Sequence, residues 1–230
     1  MDIYSFLSAL WASQNPVLPD PAVMGWAQRL MWAIVLASGA VLIAGRLARP
    51  LRAGLGLCTL LWALWPGPAA PAYWLGLAFQ SPSLMSVAVC LVWLVRGGLL
   101  DWQGPTSDAA VPRMRTAFTV LSALGVALGW VLLFDTLGWL PFSLYNWGFG
   151  ALACAMVILL ASLLWLALGS LESALPLLAV AMFVLSRVPS GNVWDALIDP
   201  LLWIALQLAW LVSALRRWRG ARGWPATTRA

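Results

Sequence analysis

Apolar residues in this chain come in long blocks, and polar positions are confined to the gaps between them. Clear blocks cover residues 26–44, 117–134, 147–168 and 197–215. Each is close to the roughly 20 residues that a helix needs to cross the hydrocarbon of a bilayer. Three further blocks are ambiguous: 51–65 is short, 71–95 is long and carries Pro82, and 174–186 is short and contains Pro176.

The gaps carry charge asymmetrically. All thirteen basic residues are arginine, and eleven of them fall in three stretches: Arg46, Arg49 and Arg52; Arg96, Arg113 and Arg115; and Arg216, Arg217, Arg219, Arg222 and Arg229. Cationic loops stay on the cytoplasmic side of a membrane, so an even number of crossings must separate these stretches. Pro66, Gly67 and Pro68 supply a turn that divides the region between the first two into two helices. Beyond Arg115 four crossings are needed, which requires 174–186 to span, with Arg187 snorkelling outward. Without 51–65 and 174–186 the chain would cross five times with the same end orientation, leaving Arg96, Arg113 and Arg115 outside.

The expected fold is all-α: a polytopic transmembrane bundle of about seven helices, amino terminus outside and carboxyl terminus in the cytoplasm. Residues 1–24 form a periplasmic segment, 25–215 the bundle and 216–230 a basic cytoplasmic tail. In the first segment Ile3, Phe6, Leu7, Leu10 and Trp11 make one helical stripe. That predicts a short interfacial helix lying on the outer leaflet, the alternative being a partner-binding helix. The segment carries Asp2 and Asp20 and no arginine, the wrong charge for the start of a cleavable signal peptide. Trp26, Trp65, Trp74, Trp139, Trp147 and Trp194 cluster at the expected outer boundary, where indole favours the headgroup layer. Trp130, Trp165 and Trp203 are expected to pack between helices.

Composition points the same way. The chain is 63% hydrophobic and 9% charged, against about 25% charged in soluble domains, so the lipid bilayer is its first partner and the inner membrane its expected location. The net charge of +5 is explained by topology, and no nucleic-acid partner is expected. Histidine and lysine are absent, which excludes histidine-based metal and haem chemistry and a retinal Schiff base. Cys58, Cys90 and Cys154 read as small buried hydrophobes. No cofactor, metal site or catalytic residue is assigned.

Candidate chemistry gathers at the outer end. Asp135, Asn146, Arg187, Asn192, Asp195 and Asp199 are the candidate ligand-binding residues, with Tyr145 and three indoles among them. On a continuous helix Asp195 and Asp199 would share a face; Pro200 disfavours helical geometry at Asp199, which would make Asp199 the cap of the last helix instead. Arg187 and Arg29 are the natural ion-pair partners for these acids. Two readings stand: a salt-bridge network pinning helices together, or a small polar pocket that holds a polar, even sugar-like, ligand or relays protons. Gly125 and Gly129 form a Gly-x-x-x-Gly pair that lets another helix approach closely. Three functions are compatible: a non-catalytic accessory or assembly component of a membrane or envelope complex, with other membrane-protein subunits as partners; a small-solute transporter or channel using the outer-face acids; or a membrane-embedded enzyme acting on a lipid-linked substrate.

Overall fold

The computed structural model describes residues 20–95 and 110–221, and among these the chain is helical with no strand. The expected interfacial helix at 3–11, most of the loop at 96–115 and the end of the tail lie outside the described residues. Among the described residues three helices are long and apolar enough to cross a membrane: Pro21–Ile43, Thr116–Thr136 and Ala151–Leu168. Leu84–Trp93 and Glu172–Ser186 are shorter apolar helices.

Helix α1 (Pro21–Ile43) starts at Asp20, whose carboxylate accepts from the N–H groups of Ala22 (2.8 Å) and Val23 (3.2 Å), and Pro21 suits a first helical position because it needs no donor there. Helix α2 (Arg49–Leu64) runs back along it. Gly56 makes the close approach possible: a Cβ there would stand 2.7 Å from Val41 Cγ2. The break at Pro66, Gly67 and Pro68 is as the sequence predicts, with Gly67 at φ 87°. Two indoles close it, Trp62 Nε1 donating to Ala69 O (2.9 Å) and Trp74 Nε1 to Pro68 O (2.8 Å).

The block at 71–95 is two helices rather than one, α3 (Pro71–Phe79) and α4 (Leu84–Trp93). Pro82 has no N–H to continue a ladder and disfavours helical backbone at Ser81, and Gln80 turns out of the helix at φ 61°. The Gln80 carbonyl takes Trp32 Nε1 (2.7 Å) and Gln28 Nε2 (3.4 Å) from α1. Ser83 then caps α4, its hydroxyl accepting from the N–H of Ser86 (3.0 Å).

Helix α5 (Ala110–Thr136) is followed by a one-turn helix, α6 (Leu144–Trp147), and by α7 (Ala151–Leu168), which stops at left-handed Gly169. A 3-10 turn at Glu172–Ala174 leads into α8 (Leu175–Ser186). Helix α9 (Val193–Leu197) is five residues long and sits inside the bundle, with Val193, Trp194 and Ala196 packed against Ala153 and Cys154 of α7 and Val180 and Phe183 of α8. Trp194, expected in the headgroup layer, is therefore buried, whereas Trp26, Trp65, Trp74, Trp139 and Trp147 are exposed. Cys154 is buried, but Cys58 faces outward.

The last helix, α10 (Pro200–Ala221), packs antiparallel on α5. Trp203 lies over Gly129, Leu206 over Gly125, and Trp210 Nε1 donates to Ser122 Oγ (2.9 Å). The Gly-x-x-x-Gly face is thus an intrachain contact. Trp203 also donates to Val126 O (3.2 Å) and meets Trp130 edge-on at 5.1 Å, while Trp165, expected between helices, is exposed. A Gly129→Leu variant should lose about 2 kcal/mol, since a side chain there would collide with the Trp203 indole. Reversible unfolding in mixed micelles would measure this, and an unchanged midpoint would contradict the contact.

Candidate functional site

Five of the six residues singled out in the sequence sit in internal contacts, and a single tyrosine connects three of them. Asp135 stands on the last turn of α5. Its Oδ2 accepts from the backbone N–H of Tyr145 (2.6 Å) and from Ser143 Oγ (3.4 Å), so it closes the turn between α5 and α6. Tyr145 Oη donates to Asp195 Oδ2 (2.8 Å) on α9, and the same oxygen takes the hydroxyl of Ser190. The Tyr145 carbonyl accepts from Asn192 Nδ2 (2.9 Å).

Asn192 is fully buried and caps α9, its Oδ1 accepting from Trp194 N (3.0 Å). Trp194 Nε1 donates to Leu144 O (2.9 Å), and Val193 N to Gly148 O (3.0 Å). Gly148 is required there, because a Cβ would collide with the Asn192 amide. Asn146 is exposed and contributes its backbone N–H to Ser143 Oγ (3.4 Å).

Arg187 does not take the expected role. It ends α8 in the left-handed conformation (φ 58°), and its guanidinium lies 5.5 Å from the Phe183 ring centroid. Arg29 likewise lies over Trp26. Among the described residues no ion pair joins either arginine to these acids, whose partners are neutral hydroxyl and amide donors.

Asp199 belongs to a second, deeper constellation. Ile198 is extended (φ −143°, ψ 136°), so α9 stops before Asp199 and the two carboxylates do not share a helix. Asp199 is 9% exposed. Its Oδ1 accepts from the N–H of Leu202 (2.9 Å) at the start of α10, and its Oδ2 takes the N–H of Ser83 (2.8 Å) and the hydroxyl of Ser86 at the start of α4. One carboxylate therefore faces the positive ends of two helix dipoles, which compensates its charge without a cation. The cap on α10 is the alternative that Asp199-Pro200 suggested. The partners on α4 are absent from any sequence reading: Ser83 is 116 positions away, and the only local signal is a Ser-x-x-Ser step after a proline, a helix-start pattern.

Chemically, the cluster offers two carboxylates joined through one tyrosine, whose backbone N–H reaches Asp135 and whose phenol reaches Asp195. The bonds to Asp135 and Asp195 fall on Oδ2 of each. The Tyr145 hydroxyl is held well above the usual tyrosine range, first by burial and then by its bond to Asp195 and that residue's charge. The phenol stays protonated in the folded protein, so its contribution to stability is complete below about pH 10 and is lost as pH rises through the elevated value. Tyr145→Phe should cost about 1 kcal/mol near neutral pH and flatten the decline in stability above pH 10. Unfolding midpoints taken at several alkaline pH values check this, and parallel declines in the two proteins would contradict it. No family model, curated protein or solved structure matches this chain.

Proposed function

We propose that this chain is a non-catalytic accessory or assembly component of a membrane or envelope complex, crossing the inner membrane about seven times. The layout is supported by helix direction. Helix α5 begins beside Arg113 and Arg115 and runs antiparallel to α10, which ends in Arg216 and Arg217. Helices α4 and α10 start side by side at Asp199, and α1 meets the Gln80 carbonyl, just ahead of α4, near its own middle through Trp32. The start of α5 and the end of α10 thus share one end of the bundle, and we read it as the cytoplasmic end, where positive charge is retained.

The observation that carries the assembly reading is the use made of the acids. Asp135, Asp195 and Asp199 each join separate elements, fixing α5 to α6, α6 to α9, and α4 to α10. Such clasps build a rigid outer platform of the kind a partner subunit can rest on. Extraction in mild detergent followed by cross-linking should find the chain in a larger heteromeric complex. A monodisperse, solitary monomer under those conditions would contradict the proposal. Asp195→Asn and Asp135→Asn should leave that complex intact.

A second reading, a small-solute transporter or channel, is favoured by the interrupted α3–α4 segment seated on a buried carboxylate, an arrangement in which half-helix ends serve as ion or substrate sites. It requires Asp199→Asn to abolish solute flux in proteoliposomes while the protein remains folded.

A further inference from the structure

We infer that the cleft between α5, α7 and α10 is a binding slot for a single hydrocarbon chain of a membrane phospholipid. The cleft has a volume of about 440 Å³, and all nineteen residues lining it are apolar. A polar solute would find no hydrogen-bond partner in it, and water would be poorly held. Its floor is tight: Ala161 is 2% exposed, and Ile198 and Trp194 are buried beside it. Its rim is formed by Leu124, Val131, Met156 and Leu160, all of them exposed. The opening therefore points sideways, between Thr116–Thr136 and Ala151–Leu168, two of the helices able to span a bilayer. The medium it opens into is acyl chains.

Along α5 the slot runs from Leu121 to Val131, about 15 Å at the rise of an α-helix. It is an elongated trough, walled by aliphatic side chains, that suits one extended hydrocarbon chain lying along the helices. The outer end is closed by Leu144 and Trp194, whose mutual hydrogen bond (2.9 Å) belongs to the same clasp that holds α6 to α9. The chain must therefore enter from the side, parallel to the helices. Gly125 keeps the wall low, since a Cβ there would stand 3.0 Å from Leu206 Cδ1 and narrow the slot.

The test is photolabelling of the full-length protein in phosphatidylglycerol–phosphatidylethanolamine vesicles doped with a phospholipid carrying a mid-chain diazirine, with adducts mapped by peptide mass spectrometry. Adducts should concentrate on Leu124, Val131, Met156 and Leu160. Ala127→Trp, placed on the exposed rim, should reduce them at least fivefold, whereas Leu166→Trp, on the open face of α7, should leave them unchanged. Labelling spread in proportion to exposure, with Ile43 and Leu166 as prominent as the rim, would overturn the proposal, as would slot labelling indifferent to Ala127→Trp. Absence of slot labelling while the open faces are labelled would also overturn it, by showing that another occupant fills the cleft.

Discussion

Asp199→Ala should be the most damaging single substitution among the three acids, costing about 4 kcal/mol of stability. Three effects combine. Helix α10 loses its cap on Leu202 N–H, worth about 1 kcal/mol. The N–H of Ser83, a fully buried residue, is left without an acceptor, costing about 1–3 kcal/mol. The favourable field of two helix starts then acts on nothing, at roughly 0.5 kcal/mol each. Asp199→Asn keeps one acceptor oxygen and should lose about half as much. Equilibrium unfolding in mixed micelles would measure both. If alanine and asparagine were equally tolerated, the double cap would not be what holds α4 against α10.

Asn192→Ala should cost about 3 kcal/mol, because it strands the Trp194 N–H inside the bundle and removes one of two donors to the Tyr145 carbonyl, which keeps only the Gly148 N–H. The loss should be local first. Helix α9 is too short to persist without its cap and its packing, so amide exchange at Val193–Leu197 should accelerate well before α5 or α7 responds. Uniform acceleration across the whole chain would contradict that placement. Helix α9 also seals one end of the apolar slot, so the same variant should weaken lipid photolabelling there.

How far the sequence could be read depends on whether a feature is local. The blocks that became α1, α5 and α7 are legible because one long apolar run is enough to define each. The turn at Pro66, Gly67 and Pro68 and the cap at Asp199-Pro200 are legible for the same reason: proline and glycine act on their immediate neighbours. Proline in the 71–95 block marked the place of the break, but not that Gln80 and Ser83 would find partners on α1 and at Asp199. Those bonds depend on how helices are arranged in space.

Ion pairing failed as a guide to Arg187. The charges are close in sequence, but a left-handed helix end carries the side chain back over Phe183. Trp194 was misplaced because a five-residue helix has too few turns to show a periodicity, and its burial arises from α7 and α8 folding around it. The apolar slot could not be anticipated at all, since its walls are ordinary aliphatic residues of separate helices and only their spacing creates it.

The central claim is that the arginine-rich end of the bundle faces the cytoplasm and the clasped acids face outward. Single cysteines read this directly, in a background with Cys58, Cys90 and Cys154 replaced by alanine. In spheroplasts treated with a membrane-impermeant maleimide, Leu137→Cys, exposed just beyond Asp135, should be labelled, whereas Gly104→Cys and Arg222→Cys should react only after the membrane is opened. Labelling that places Gly104 and Arg222 on opposite sides, or Leu137 on the same side as either, would contradict the account.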